Sequence, residues 1–259
     1  MPFLELHSVS VHYPVRSAWG RVRDVVRAVD AVSLAVGQGE VLGLVGESGC
    51  GKSTLSRAIM QLQPLTAGRI VLAGEDLSAL PPGEVRRRRP DFQMVFQDPY
   101  ASLNPRFSIY STLVEALSRR APLPRSRRQE AVAALMQRVG LSPEHMHKYP
   151  HEFSGGQRQR VAIASAIAPQ PKLLLADEPV SALDVSIQGQ ILNLLRSLTS
   201  ELGIAMVFIS HDLAVVHHIA DRIAVMQRGR IVEFGEATQV FTAPQHPYTR
   251  QLLSAIPSL

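Results

Sequence analysis

Gly46-Glu47-Ser48-Gly49-Cys50-Gly51-Lys52-Ser53 is the run of residues in this chain best suited to chemistry, and that chemistry is a grip on phosphate. A glycine, four further residues and then Gly-Lys-Ser form the Walker A pattern. The glycines let the backbone turn tightly, so that successive N–H groups face phosphate oxygens. A helix beginning at such a loop adds its positive end to the same place. Lys52 is placed to reach the β- and γ-phosphates, and the Ser53 hydroxyl, followed by Thr54, to ligate Mg²⁺. A glycine-rich turn that merely joins a strand to a helix is the plainer alternative. Both flanks favour the phosphate loop, since Val41–Val45 reads as a buried strand and an apolar helix over about Lys52–Leu62 follows. The loop specifies nucleotide and Mg²⁺ but not a reaction.

Two further groups narrow the chemistry. Lys172-Leu-Leu-Leu-Ala-Asp177-Glu178 is an apolar strand ending in adjacent carboxylates. In a protein with a phosphate loop, an acid at such a strand end holds Mg²⁺, the role that Asp177 fits. Glu178, one residue on, is placed to polarise an attacking water, although an acidic residue opening a loop reads the same way. Phe153-Ser154-Gly155-Gly156-Gln157 has a capping box in Ser154-x-x-Gln157, which predicts a helix running to Ala168 before Pro169. Two glycines at a helix N-terminus leave backbone N–H groups open to a phosphate, a second anion site. Two such sites make sense if one nucleotide is held between two chains.

The order of these groups, with Gln97 between the first and second and His211 after the carboxylates, resembles the nucleotide-binding subunit of an ABC transporter. The likeness runs over essentially the whole chain. Within that family it is similar to the ATPases of oligopeptide, dipeptide and nickel importers. Val45–Thr54, Met94–Pro105, Tyr149–Gln157 and His246-Pro-Tyr-Thr-Arg250 carry that narrower resemblance. The resemblance implies an α/β P-loop NTPase core of RecA-like type, with an antiparallel β subdomain and an inserted helical subdomain. It implies that Tyr13 stacks on adenine, a role physically suited to an aromatic face, although an edge-strand tyrosine reads alike. It also places Gln97 in the Mg²⁺ and water shell, or as a polar residue closing a strand. His211 would contact the γ-phosphate, and Asp184 would lie at a dimer interface. Two ATPase subunits, expected to be non-identical, would close head to tail, each nucleotide lying between one chain's Walker A and the other's Ser154–Gln157. Closure would drive transmembrane permease subunits, with Tyr100–Pro105 near that contact, and an extracytoplasmic solute-binding protein would deliver the solute. Phe153 departs mildly from the usual Leu. The cysteine-rich tail of several relatives is not found before Leu259, so no iron–sulfur cluster is expected.

The elements that must position these groups follow from apolar runs. Val41–Val45, Phe92–Phe96, Leu173–Ala176, Ala205–Ile209 and Ile223–Met226 read as buried strands alternating with helices, the pattern of a mostly parallel sheet. Leu4–Tyr13 and Ala28–Val36 read as antiparallel strands joined by an exposed charged connection, Arg16–Arg27. Gln227-Arg-Gly229 is a turn leading to a strand over Arg230–Phe234. In the middle, Ile109–Arg120 reads as helix, and Ser126-x-x-Gln129 as a capping box for a second. A helical subdomain is therefore expected over 98–165, inserted into an α/β core of 1–97 and 166–259.

With 259 residues, the chain can bury a sizeable core in one or two domains. No apolar run approaches the roughly 18–20 residues of a membrane span, and the opening lacks a secretory pattern, so a cytoplasmic place is expected, which the resemblance narrows to the periphery of the inner membrane's cytoplasmic face. A net charge of +5 suits nucleic acid, an anionic membrane face or plain solvated surface. No recognition helix, zinc-finger spacing or RNA-binding aromatic motif accompanies the arginines, so no nucleic-acid partner is expected. The rival function, a soluble ABC ATPase on nucleic acid or the ribosome, lacks the second cassette or long coiled coil such proteins carry. The single cysteine, Cys50, is either a tolerated small residue or a thiol exposed without nucleotide. His145, His147 and His151 have poor spacing for a metal site.

Overall fold

A computed structural model of the chain describes residues 2–16, 22–98 and 102–255. The chain forms two compact units, Met1–Arg87 with Ala205–Leu259, and Arg88–Ile204.

In the first unit, β1 (Pro2–Arg16) and β2 (Val22–Gly37) form a long antiparallel pair. Both run into what the sequence assigns to an exposed connection. Val22-Arg-Asp-Val-Val supplies β-branched residues that fit a pleated surface, and Tyr13 pairs with Val26 and Val15 with Asp24. The ladder therefore continues past the buried part of the sheet, although Val25 and Val26 are exposed. The strands β4 (Ala67–Leu72) and β5 (Glu75–Asp76), which the apolar pattern does not reveal, complete a sheet of order β2-β1-β4-β5.

The same unit holds β3 (Val41–Val45), β8 (Ala205–Ser210), β9 (Arg222–Gln227) and β10 (Arg230–Glu236). The β3 strand runs parallel to both β8 and β9, and β10 turns back antiparallel to β9. All five residues of β3 are buried, as a strand covered on both faces requires. The β9–β10 turn has Arg228 at φ 47° and Gly229 at φ 83°. Positive φ at both central residues is the two-residue hairpin geometry matched to strand twist.

In the second unit, β6 (Phe92–Val95) and β7 (Leu173–Asp177) pair in parallel, Phe92 opposite Leu173 and Val95 opposite Ala176. Helices Ile109–Leu117, Arg128–Arg138, Gly155–Ile167 and Val185–Leu202 accompany them. Ser108 caps the first, which ends three residues short of the expected Arg120. The capping box at Ser126 is not formed. Pro124 starts a 3₁₀ turn over Arg125–Arg127 instead, so Ser126 sits inside that turn and the helix starts at Arg128 without a side-chain cap. A proline fixes φ and opens a turn there before the serine can act as cap. On Val185–Leu202, Ile191, Leu192, Leu195 and Leu198 are buried, whereas Leu194 is only half-buried.

Candidate functional site

The predicted residues divide between the two units. In the first, Val45 lies opposite Ser210 of β8 and Val225 of β9. The loop from Gly46 and the segment from His211 therefore leave the sheet at the same carboxyl edge, where ligands collect in open parallel sheets. Gly51 immediately precedes the helix Lys52–Ile59 at φ 114°, and a Cβ there would fall 2.0 Å from the Ala28 carbonyl oxygen. No other residue fits that approach. The helix is shorter than the expected Lys52–Leu62 because Gln61 turns to φ 52°.

Lys52 is only 5% exposed, so its charge must be satisfied locally. Its Nζ donates to the carbonyls of Gly46 at 2.5 Å and Glu47 at 2.9 Å. Glu47, Ser48, Gly49 and Ser53 are exposed around it, and Gly51 and Thr54 half-buried. Two outside contacts hold the loop in shape. Gly229 N–H donates to the Cys50 carbonyl at 2.8 Å, and Glu47 N–H donates to the Tyr248 hydroxyl at 2.9 Å. Burial pushes the Tyr248 phenol up from its ordinary value. The Cys50 thiol is 8% exposed and 3.8 Å from Lys52 Nζ. Of the two readings of Cys50, this burial favours the tolerated small residue over the exposed thiol.

His211 is exposed, and its neighbours fix its backbone. Ser210 Oγ accepts the Asp212 N–H at 3.0 Å, and Asp212 Oδ1 accepts those of Ala214 at 2.8 Å and Val215 at 3.3 Å, capping the helix Leu213–Ile219. Tyr13, on β1, is 37% exposed beside exposed Val25 and Val26.

In the second unit the β6–β7 register brings Gln97 and the Asp177-Glu178 pair to the matching ends of two parallel strands. Gln97 is exposed and Asp177 half-buried. Glu178 adopts φ 48°, a left-handed conformation that costs a non-glycine residue roughly 1–3 kcal/mol and persists where the surroundings impose it. Ser181 imposes it here, donating its N–H at 3.3 Å and its hydroxyl at 3.1 Å to the Glu178 carbonyl.

The Ser154 capping box forms as the sequence predicts. Ser154 Oγ accepts the Gln157 N–H at 3.3 Å, and Gln157 Oε1 accepts the Ser154 N–H at 3.0 Å. Phe153 is buried below, edge-on to His145, so an aromatic ring fills the usual leucine site. Gly156 packs against the helix that begins after Asp184, since a Cβ there would lie 2.6 Å from Ile187 Cγ2. The N-terminus of the helix Gly155–Ile167 thus lies against the first turn of the helix for which Asp184 is the N-cap residue.

Among the described residues no three His, Cys, Asp or Glu side chains gather as a metal site. His147 tilts on Tyr110 and His151 stacks on Tyr149. Part of the arginine charge serves structure, as Arg120 binds Asp91 at 2.8 Å and the Pro169 carbonyl at 2.9 Å. Tyr100 and Ala101, part of the expected membrane-subunit contact, lie outside the described residues. No helix among those described is long and apolar enough to cross a membrane. Sequence reasoning missed the supports of the loop, Gly229 and Tyr248. The only signal for the tyrosine was its place in the His246–Arg250 motif.

Residues 29–181 match the family model described as ABC transporter, and residues 232–259 match that for the oligopeptide/dipeptide transporter C-terminal region. The chain is 52% identical over 255 residues to a probable peptide ABC transporter ATP-binding protein of Sinorhizobium fredii, covering 98% of this chain and 72% of the relative. It is 51% identical over 257 residues to the glutathione import ATP-binding protein GsiA of Escherichia coli, covering 99% of this chain but only 41% of that longer protein. Among solved structures it resembles a dimeric post-hydrolysis state of the ATP-binding cassette MJ0796 bound to ADP and Pi. The TM-score is 0.79 at 27% identity, over 90% of this chain and 98% of the other. It also resembles cbiO1 of Clostridium perfringens, part of the ABC transporter complex cbiONQ, with a TM-score of 0.80 at 27% identity, over 99% of this chain and 96% of the other.

Proposed function

This chain belongs to the ABC transporter family and is an ATP-hydrolysing cassette, and we propose that it drives the import of a small solute, peptides foremost and nickel or metal chelates next. The match of residues 232–259 to the oligopeptide/dipeptide transporter C-terminal region is the observation that carries the import reading.

In this reading the loop Gly46–Thr54 cradles the phosphates and Tyr13 stacks on adenine. Mg²⁺ would be held by the Ser53 hydroxyl and the Asp177 carboxylate, with Gln97 in its shell. These are oxygen donors of the kind that a small hard cation selects, and its chemistry is to neutralise charge on the phosphates. Glu178, held in a left-handed backbone conformation at the strand end, accepts a proton from the attacking water. His211 supports the γ-phosphate. Within Ser154–Gln157 the Gly155 and Gly156 N–H groups, which the capping box does not use, would face the nucleotide of a second ATPase subunit, a non-identical one, with Asp184 at that interface.

The helical signature segment 98–165 would sit within an α/β core of 1–97 and 166–259 and couple it to transmembrane permeases. The subunit is then peripheral, on the cytoplasmic face of the inner membrane. An extracytoplasmic binding protein supplies the solute, and no nucleic acid takes part.

Glu178→Gln tests the assignment. It should bind ATP as the wild type does, while turnover falls by about two to four orders of magnitude. Hydrolysis at the wild-type rate would remove Glu178 from the mechanism. Purification from membranes should recover permease subunits, and their absence from the purified complex would oppose transport coupling.

A further inference from the structure

The five residues His246-Pro-Tyr-Thr-Arg250 have no part in the chemistry above, yet four of them visibly build one structure. Glu233 on β10 accepts the N–H groups of Gln245 at 2.7 Å and His246 at 3.0 Å, which pins the start of the helix Pro247–Ser254. His246 Nδ1 accepts the Tyr248 N–H at 3.2 Å, and Pro247 occupies the first helical position, where a missing N–H is harmless. Arg250 donates to the carbonyls of Pro244 at 3.1 Å and Gln245 at 3.3 Å, closing the turn from the other side. The product is one immobilised ring. Tyr248 is 5% exposed, and its hydroxyl meets the Glu47 N–H from 201 residues away.

We propose that Tyr248 is a positioning residue for the phosphate loop, through which the C-terminal helix sets nucleotide affinity. Glu47 is held on both faces of its backbone. Its N–H is on Tyr248, and its carbonyl accepts from Lys52 and, within the loop, from the Cys50 N–H at 3.3 Å. When Lys52 turns to a phosphate, as the nucleotide reading on which this proposal rests requires, the lysine contact is given up. The Cys50 N–H still holds the carbonyl from within the loop, and the tyrosine remains as the tether on Glu47 from outside it. A loop held in its binding shape beforehand loses less freedom when the ligand arrives, and this raises affinity without any direct contact. Glu47 N–H is also kept off the ligand, leaving the phosphates to the amides that follow.

The test uses the purified full chain with Mg²⁺ and ATP. Tyr248→Phe keeps the ring and removes only the hydroxyl. Nucleotide Kd and the KM for ATP should rise about three- to tenfold, while kcat at saturating ATP changes less than about twofold. Glu47→Pro removes the donor instead, and in that background Tyr248→Phe should weaken binding no further. Unchanged affinity in Tyr248→Phe, a loss confined to kcat, or an equal further loss in the Glu47→Pro background would each overturn the proposal. If Glu47→Pro fails to fold, the split between KM and kcat in Tyr248→Phe decides alone. A wild-type chain that binds no nucleotide would instead sink the reading of the loop itself.

Discussion

Gly156→Ala isolates a demand of the second anion site that has nothing to do with anions. The added methyl would lie 2.6 Å from Ile187 Cγ2, where ordinary contact begins at 3.4 Å. One helix must therefore yield by about 0.8 Å, and overpacking of this kind destabilises by about 1–3 kcal/mol. The better helix propensity of Ala offsets at most about 1 kcal/mol of that. Gly189 provides the contrast, being on the helix Val185–Leu202 with nothing within 4 Å of its would-be Cβ, so Gly189→Ala should stabilise by roughly 0.5–1 kcal/mol. Ile187→Ala removes the clashing methyl, and in that background Gly156→Ala should become neutral or slightly stabilising. Urea unfolding of the four proteins measures the coupling, expected at about 1–3 kcal/mol. If Gly156→Ala costs the same with and without Ile187, the packing argument is wrong and the glycine serves the ligand alone.

Two other outcomes are expected. The Glu233 carboxyl is pushed up by burial, but the hydrogen bonds it accepts, those from Gln245 and His246 N–H among them, outweigh this and hold it below its ordinary value of 4.5. A depressed carboxyl stabilises the fold above the unfolded-state pKa and loses that contribution as pH falls through the folded one. The melting-temperature gap between wild type and Glu233→Gln should therefore be full at pH 7 and close below about pH 4; a gap independent of pH would contradict this. Cys50, buried under its loop, should react with N-ethylmaleimide far more slowly than a free thiol, with or without ATP. Rapid modification that ATP prevents would show instead that the loop opens.

Much of this architecture was readable because buried parallel strands are continuous apolar runs. Leu173–Ala176 and Ala205–Ile209 needed only their ends extended, to Asp177 and Ser210. Ser154 announced its helix because both halves of its box are local, three residues apart. Ser126 carries a box of the same form and fails, because Pro124 starts a competing turn upstream. The β4 strand escaped notice because its strongly apolar part, Ile70-Val71-Leu72, is only three residues long and follows Gly68-Arg69. Of the site, the residue types and their order were legible. The left-handed backbone at Glu178 and the buried pose of Cys50 were not, since the first depends on the turn that Ser181 closes and the second on packing under the loop. Tyr248 was the least accessible, because a contact across 201 residues leaves no trace in spacing.

The supports of the phosphate loop also have a temporal consequence. Gly51 rests on Ala28, whereas the Cys50 carbonyl waits for Gly229 and the Glu47 N–H for Tyr248. At about 5–20 residues per second, the ribosome releases Tyr248 roughly 10–40 s after the loop it braces. A nascent chain halted before Gly229 carries the whole Walker A sequence without its distant supports. The loop's full affinity for nucleotide should therefore be reached only after Tyr248, 201 residues downstream, has been made.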